Sequence, residues 1–300
     1  MTSAVSITPV SIPQRAGRND STTSEPIGAR VYAPDNPHHD TALVWLHGGG
    51  FAGGDLTMPE ADWVAHSLAE RGHLVVTVDY RLVTDTVRYP EPSNDVLTAW
   101  AWVHNHRDDL HLTGSVHLGG ASAGGNLAAG ATMRIRDNDP VADGAPLPTT
   151  LILAYPTLHA VQPPPSDDLR HKLDALAPEY QRDAAYVARL YINFLPDAAT
   201  DATGAVVPAG ISDVARIRAA ALPGTADPTG LPPTLSAGSA SDPLRASAEG
   251  FVQSLAAHGV EHEYFVEPDT RHGHLNQPDT VGALSTIEHF AAWLTDHAGR

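Results

Sequence analysis

Residues 120–126 are Gly-Ala-Ser-Ala-Gly-Gly-Asn, and they lie between a short apolar run at 115–118 and an alanine-rich stretch at 123–136. This order predicts a strand, a tight turn and a helix, with the hydroxyl of Ser122 held at the turn as a nucleophile. Residues 47–50 are His-Gly-Gly-Gly and also follow an apolar run. The amides of such a glycine loop can bind a developing oxyanion. Together, the two runs indicate an acyl-transfer site.

Chance alone would rarely produce both runs in this order. With 17 His and 25 Gly among 300 residues, His-Gly-Gly-Gly is expected roughly 0.01 times per chain, and a lone Gly-x-Ser-x-Gly about ten times as often. The glycine-rich run therefore contributes most of the specificity. Ordinary glycine turns are the competing interpretation, but the predicted strand, turn and helix around Ser122 favour catalysis.

The length and composition are typical of a globular protein with a large core. The 300 residues are 42% hydrophobic and 18% charged. Because α/β folds of this size often form one domain, we expect a single domain over residues 1–300. The formal net charge is −17, and the basic residues are scattered singly. Nucleic acids and anionic membrane surfaces bind clustered Lys and Arg, so neither is an expected partner.

The absence of cysteine restricts the chemistry further. The sequence contains no Cys, which excludes disulfides, thiolate metal sites and a cysteine nucleophile. The first residues lack a basic and apolar signal segment, and no apolar run reaches about 18 residues, so the cytoplasm is the expected compartment. Three close histidine pairs could suggest metal ligands, but no acidic cluster accompanies them, and we expect no metal. The pairs are His38/His39, His104/His106 and His272/His274.

From about residue 43 onward, short apolar runs alternate with helical patterns. This alternation predicts strand–helix–strand units and therefore an α/β fold with a mostly parallel central sheet flanked by helices. The predicted strands are 43–46, 73–80, 115–118, 150–155, 234–237 and 262–266, and the predicted helices are 59–71, one starting near 94, 123–136, 183–195, 245–258 and one at the C-terminal end. The last helix is expected to place five apolar residues on one face. They are Val281, Leu284, Ile287, Phe290 and Leu294.

The alternation breaks between about residues 157 and 230, where Pro163-Pro164-Pro165 precedes a helical stretch and an Ala/Gly/Pro/Asp-rich segment. Structureless loops longer than about 15 residues are uncommon in compact domains, so we interpret residues 157–230 as a cap-like insertion. Four large side chains lie on its predicted helix. They are Tyr186, Leu190, Tyr191 and Phe194. These side chains either dock the insertion on the body or line an acyl pocket, and the sequence leaves both interpretations open.

A serine nucleophile requires a histidine base, and the base requires a carboxylate that orients it. Asp242 and His272 each follow a predicted strand, where loops of an α/β sheet bring functional side chains together. Asp269 is a second candidate for the acid, and His274 is a second candidate for the base. The residues alone leave these alternatives open.

Several further runs match a known arrangement. They are Asp79-Tyr80-Arg81-Leu82, Tyr89-Pro90 with Asp95 downstream, Leu231-Pro232-Pro233-Thr234, Asp242-Pro243-Leu244-Arg245 and His272-Gly273-His274-Leu275. With the runs at 47–51 and 120–126, they make the chain resemble the hormone-sensitive-lipase-like group of serine carboxylesterases in the α/β-hydrolase superfamily, over about residues 25–297. The resemblance implies the α/β-hydrolase fold with a small cap or insertion.

The resemblance also implies roles for individual residues. In this group the acid belongs to an Asp-Pro-Leu run and the base opens a His-Gly-Phe run, which implies Asp242 as the acid and His272 as the base. His274 then stands where the group has phenylalanine. The implied oxyanion-hole amides are those of Gly49, Gly50 and Ala123. The expected substrate-contacting side chains are Phe51, Tyr186, Leu190, Tyr191 and Phe194.

The chain departs from the group at two places. Ala121 stands where the group usually has aspartate, so a local polar contact is absent. The N-terminal arm before the first predicted strand is short, so a helical cap built from that arm would be reduced. The insertion at 157–230 is then the main expected cover of the site.

The residues and the resemblance together predict a serine carboxylesterase that hydrolyses short- to medium-chain esters through an acyl-enzyme on Ser122. This chemistry needs no cofactor, the expected partner is a small-molecule ester, and the resemblance suggests a homodimer edge at the last strand and helix. Two alternatives stay open: an arylformamidase or other amide hydrolase, and a non-catalytic receptor on the same fold. A base at His272 argues against the receptor, and a polar, Pro-rich insertion argues against a lipase.

Overall fold

An eight-stranded sheet forms the centre of the protein. The computed structural model describes residues 4–14, 25–35, 38–177, 184–196, 198–200, 206–208 and 219–299. The strands are β1 (Val5–Ile12), β2 (Ile27–Pro34), β3 (His39–Leu46), β4 (Leu74–Asp79), β5 (Leu112–Ala121), β6 (Leu151–Ala154), β7 (Ala198–Thr200), β8 (Val206–Pro208), β9 (Thr234–Ser241) and β10 (His262–Arg271). The helices are α1 (Pro59–Ala69), α2 (Glu91–Asn105), α3 (Ala123–Arg136), α4 (Asp167–Asp174), α5 (Ala184–Phe194), α6 (Arg245–Ala257) and α7 (Val281–Asp296).

The strand order across the central sheet is β1-β2-β4-β3-β5-β6-β9-β10, while β7 and β8 form a separate pair. The six strands from β4 to β10 in this order pair in parallel. β1 and β2 run antiparallel to each other, and β2 is antiparallel to β4. Parallel neighbours need crossover connections, which helices provide. The prediction of an α/β-hydrolase fold with a mostly parallel sheet is confirmed.

Side chains of β3 fill two core layers, one on each face of the sheet. Ala42, Val44 and Leu46 belong to the layer that includes side chains of α2 and α3. Leu43 and Trp45 belong to the layer that includes side chains of α1 and α7. Successive side chains of a strand point to opposite faces, so a strand covered by helices on both faces needs a continuous apolar run.

The N-terminal part of the chain differs from the prediction. The strand–helix alternation predicts the first strand near residue 43, whereas β1 and β2 precede it and extend the sheet. β1 is an edge strand that alternates polar and apolar residues and contains Pro9, which an edge strand tolerates. The prediction followed strand–helix alternation, which indicates parallel strands, whereas β1 and β2 pair antiparallel.

Helix α7 buries a narrower face than the sequence suggests. Ile287, Phe290 and Leu294 are buried in the core, as predicted, but Val281 is 84% exposed and Leu284 is 41% exposed. Both lie in the first turn, which the Thr280 hydroxyl caps by accepting from the amide of Ala283. A helical face is buried only where a neighbouring element covers it. Among the described residues, no helix combines the length and the apolar character needed to cross a bilayer.

The insertion predicted at 157–230 is described in part. It contains α4, α5, the β7–β8 pair and a short 3-10 turn at Pro223–Thr225. Residues 178–183, 197, 201–205 and 209–218 lie outside the described residues, and this includes the predicted start of a helix at residue 183. The role of this stretch as a cap stays a prediction.

Candidate active site

Ser122 lies on a sharp turn between β5 and α3. Its backbone angles are φ 52° and ψ −113°, in a region that non-glycine residues rarely occupy and that costs about 1–3 kcal/mol. The flanking glycines permit this turn, because a Cβ at Gly120 would lie 2.5 Å from the backbone of Gly124. A Cβ at Gly124 would lie 2.3 Å from the carbonyl oxygen of Leu46. The strand, turn and helix predicted around Ser122 are therefore present.

Ser122, His272 and Asp242 form a continuous chain of hydrogen bonds. The Oγ of Ser122 is 3.0 Å from Nε2 of His272, and Nδ1 of His272 is 2.8 Å from Oδ2 of Asp242. A carboxylate only accepts hydrogen bonds, so Nδ1 holds the ring proton and Nε2 is free to accept the serine proton. Asp242 is fully buried, and its Oδ1 accepts from the amide of Leu244 at 2.8 Å.

The topology of the sheet explains how residues so far apart in sequence meet. Ser122 follows β5, Asp242 follows β9 and His272 follows β10. These strands are parallel, and β9 and β10 are neighbours. The carboxyl ends of parallel strands share one edge of the sheet, which is where ligands bind in folds of this class.

The glycine loop after β3 lies at the same edge. Gly49 and Gly50 have φ values of 115° and 61°, which a residue with a side chain rarely adopts. The carbonyl oxygen of Gly49 accepts from the amides of Ala52 and Gly53 and closes the loop. Gly49, Gly50 and Ser122 line one cavity, and Ala123 follows Ser122 as the first residue of α3.

His47 and Tyr80 stabilise this loop through hydrogen bonds to its carbonyl oxygens. The Nδ1–H of His47 donates to the carbonyl oxygen of Gly48 at 2.7 Å, and the Tyr80 hydroxyl donates to the carbonyl oxygen of His47 at 2.7 Å. The two rings stack with their centroids 4.4 Å apart. His47 therefore shapes the loop through its own hydrogen bond and is held away from the serine hydroxyl.

A salt bridge after β4 fixes a neighbouring loop. Both Nε and Nη2 of Arg81 donate to the buried carboxylate of Asp95, at 2.9 and 2.7 Å. The amide of Arg81 also donates to Asp95, at 2.8 Å. This arrangement joins the end of β4 to α2, so the matched Asp-Tyr-Arg-Leu run has a structural role here.

The cavity that contains the Ser122 hydroxyl has a volume of about 550 Å³. Its wall includes the apolar residues Met58, Val187 and Leu244 and the polar residues Asn276 and Gln277. Of the predicted substrate-contacting side chains, Tyr186 and Leu190 line this cavity. The side chain of Leu190 also approaches Gly50, because a Cβ there would lie 3.0 Å from Cδ2 of Leu190.

The other three predicted substrate contacts require correction. Phe51, Tyr191 and Phe194 are buried in the core and are absent from the described cavity wall. The rings of Phe51 and Phe194 stack with centroids 3.9 Å apart, and the Tyr191 hydroxyl donates to the carbonyl oxygen of Thr157 at 2.9 Å. These contacts dock α5 on the body. Tyr186, Val187 and Leu190 lie within about one turn of α5 and line the cavity together.

His274 has a structural environment that differs from that of His272. Its Nδ1 is 2.9 Å from the hydroxyl of Ser239, and its Nε2 is 2.9 Å from the hydroxyl of Thr286. Burial lowers the pKa of His274 to about 4, since the charged form loses its hydration. His274 is therefore a neutral core residue at neutral pH, and the structure places His272 against Ser122.

Three buried histidines should make the fold sensitive to mild acid. Burial lowers the pKa of His73 and His274 to about 4 and that of His117 to about 3, whereas an unfolded histidine has a pKa near 6.5. Between about pH 6.5 and pH 4, the unfolded chain therefore binds more protons than the folded chain. The contribution of the three neutral histidines to stability is complete above about pH 6.5 and falls as the pH approaches 4. These three side chains alone should make the free energy of unfolding, measured with urea, about 4 kcal/mol lower at pH 5.5 than at pH 7.5. Equal values at the two pH values would contradict neutral, buried side chains.

One buried polar residue at the cavity has no signal in the sequence. Glu60 lines the cavity and is 2% exposed, and its Oε2 accepts from the hydroxyl of Tyr155 at 2.9 Å. Glu60 occupies the second position of α1, where an acidic residue is ordinarily interpreted as a favourable charge at a helix N-terminus. No local pattern therefore distinguishes it from a solvent-exposed glutamate.

Comparison with known proteins identifies the family. The sequence profile of a family described as having the alpha/beta hydrolase fold matches residues 43–276. The carboxylesterase NlhH of Mycobacterium tuberculosis is 32% identical over 269 residues, which cover 88% of this chain and 76% of NlhH. The chain belongs to the α/β-hydrolase family.

Other proteins that are similar to this α/β hydrolase are also esterases. The esterase LipI of Mycobacterium tuberculosis is 31% identical over 87% of this chain and 74% of LipI. The solved structure of an esterase from Pyrobaculum calidifontis is 28% identical and matches with a TM-score of 0.76, covering 98% of this chain and 86% of that one. The resemblance to hormone-sensitive-lipase-like esterases is confirmed.

Proposed function

We propose that Ser122, His272 and Asp242 are the catalytic triad of this chain and that its substrates are esters of short- to medium-chain carboxylic acids. The chain is a carboxylic ester hydrolase, in keeping with its carboxylesterase and esterase relatives. The observation that supports the triad most directly is the hydrogen-bond chain from the Ser122 hydroxyl through the His272 ring to the Asp242 carboxylate.

The reaction then proceeds in two halves. The Ser122 oxygen attacks the ester carbonyl carbon while Nε2 of His272 takes the hydroxyl proton, and Asp242 stabilises the imidazolium that forms. The tetrahedral intermediate expels the alcohol, which takes the proton from Nε2, and the acyl group stays on Ser122. A water molecule, deprotonated by the same imidazole, attacks the acyl carbonyl and releases the acid and the free serine.

The tetrahedral intermediate bears a negative oxygen that must be stabilised. We assign this role to the amides of Gly49, Gly50 and Ala123, which belong to the loop and the helix start on either side of Ser122. A preorganised donor of this kind is worth about 3 kcal/mol in the transition state. The strained turns at Ser122 and in the glycine loop keep the donors in place before the substrate arrives.

The size of the cavity supports the proposed acyl preference. Its volume of about 550 Å³ is in the usual range of small-molecule sites. Tyr186 and Leu190 line the cavity, and Leu190 lies beside the glycine loop. We infer that they limit the length of the acyl chain that can lie against the serine.

A panel of p-nitrophenyl esters with one alcohol and acyl groups from acetate to palmitate tests this proposal. We expect kcat/KM to be highest for short and medium acyl groups and to fall for palmitate, because Tyr186 and Leu190 on the cavity wall are proposed to limit the acyl chain. An N-formyl arylamine assayed beside the panel distinguishes an amide hydrolase. Faster turnover of the formamide than of every ester would contradict the proposed substrate class, and no turnover of any compound would favour a receptor.

A further inference from the structure

The side chain of Glu60 connects the structural parts of the proposed active site. We propose that Glu60 is a positioning residue that holds the glycine loop and the ring beside His272 in their reactive arrangement. This inference rests on the proposed function, because it assumes catalysis by Ser122 with oxyanion binding at the glycine loop. Glu60 contacts neither the serine hydroxyl nor the His272 ring by any described hydrogen bond, so it acts through its neighbours.

One oxygen of the Glu60 carboxylate binds the glycine loop. The amide of Gly48 donates to Oε1 at 2.9 Å. Space around this bond is restricted, because a Cβ at Gly48 would lie 2.5 Å from Oε1 of Glu60 and 3.1 Å from Cβ of Ser122. The Gly48 peptide therefore lies between the Glu60 carboxylate and Ser122, close to both. Fixing the Gly48 peptide also fixes the direction in which the chain enters Gly49 and Gly50.

The other carboxylate oxygen binds Tyr155, whose ring contacts the proposed base, His272. The Tyr155 hydroxyl donates to Oε2 of Glu60 at 2.9 Å. The Tyr155 ring meets the His272 ring edge to face, with centroids 5.1 Å apart, and meets the His274 ring at 5.0 Å. Burial raises the pKa of Tyr155 well above its usual value, so the hydroxyl stays protonated and remains a donor.

The backbone of Glu60 adds two further connections. Its amide donates to the side-chain oxygen of Asn276 at 3.2 Å, and its carbonyl oxygen accepts from the indole of Trp45 at 2.7 Å. Asn276 lies four residues after His272, on the loop that holds the base. Trp45 lies on β3, just before the glycine loop. One residue of α1 is thus bonded to both loops.

The residue before Ser122 carries no carboxylate. Ala121 stands where the resembling group has aspartate, and it packs in the same core layer as Tyr155 and Trp45. The elbow itself therefore provides no carboxylate beside the serine. A buried carboxylate is costly unless its oxygens are hydrogen-bonded, and both oxygens of Glu60 are bonded to groups that support the site.

The test compares Glu60→Ala, Glu60→Gln and Glu70→Gln in steady-state kinetics on one short-chain p-nitrophenyl ester. We expect Glu60→Ala to lower kcat about 10- to 100-fold with a small change in KM, because a misplaced loop loses transition-state contacts more than substrate binding. Glu60→Gln keeps an acceptor for Gly48 but no charge, and kcat should fall about threefold to tenfold. Glu70, at the other end of the same helix, is the matched control and should leave kcat unchanged.

Active-site titration with a fluorophosphonate and an unfolding curve accompany each variant, so that kcat refers only to folded, competent enzyme. Wild-type kcat in Glu60→Gln, together with wild-type kcat in any folded Glu60→Ala, would overturn the inference. If Glu60→Ala does not fold, the result for Glu60→Gln decides. Ser122→Ala in the same assay distinguishes failure of the proposed triad from failure of the proposed role of Glu60. Activity in Ser122→Ala would refute the triad. An inactive Ser122→Ala together with wild-type kcat in the Glu60 variants would refute only the role of Glu60.

Discussion

Replacing Ser122 with alanine is expected to lower kcat on a p-nitrophenyl ester by about 10⁴-fold or more, since no acyl-enzyme can form. The fold should persist, because the hydroxyl contributes one described hydrogen bond, at 3.0 Å to His272. Alanine also retains the Cβ that packs near Gly48. The residual rate should exceed the rate in buffer, because oxyanion donors and binding groups remain.

The matched control is Ser11→Ala, which removes an exposed hydroxyl from edge strand β1. Its kcat should equal that of the wild type. A fluorophosphonate should label the wild type and Ser11→Ala with one equivalent and should leave Ser122→Ala unlabelled, as intact mass spectrometry would detect. Substantial ester hydrolysis by purified Ser122→Ala would refute the nucleophile assignment.

Replacing His272 with alanine should reduce kcat by a similar factor, because the serine then has no base and the leaving alkoxide has no acid to protonate it. Replacing His274 should reduce kcat only a few-fold. It should instead lower the free energy of unfolding by about 1–3 kcal/mol, because the hydroxyls of Ser239 and Thr286 lose a buried partner. The two variants thus separate catalysis from stability at positions two residues apart.

Kinetics at saturating ester and urea unfolding measure the two effects. The pH profile of the wild type provides a further check, because a protonated His272 cannot accept the serine proton and kcat/KM should fall toward acid pH. A larger loss of kcat in folded His274→Ala than in His272→Ala would transfer the role of base to His274. Such a result would contradict the hydrogen-bond chain described above.

The catalytic candidates could be predicted because local sequence determines local geometry. Gly120, Ser122 and Gly124 favour a sharp turn between a strand and a helix, and that context was visible in the flanking apolar and alanine-rich runs. Asp242 and His272 follow strands whose apolar runs are equally clear. Parallel strands share one edge, so the loops after these strands were expected to meet there, and the family resemblance was needed to choose Asp242 over Asp269 and His272 over His274.

The substrate wall could not be predicted in the same way. Tyr186, Leu190, Tyr191 and Phe194 are all large side chains on one helix, and the sequence left docking and pocket lining equally open. The rotation of α5 about its axis decides which of these side chains line the cavity and which pack against the body. Contacts with Thr157 and Phe51, far away in sequence, determine that rotation.

By itself, the sequence determined the α/β alternation, the strained serine turn, the glycine loop and the two loops that hold Asp242 and His272. Each of these depends on hydrogen bonding and side-chain periodicity within a few neighbouring residues. Only the tertiary structure decided that β1 and β2 extend the sheet, that His274 is bound by Ser239 and Thr286, and that Glu60 joins Gly48 to Tyr155. These contacts join residues 12 to 95 positions apart, and such pairings arise from the packing of whole elements, which no short stretch of sequence encodes.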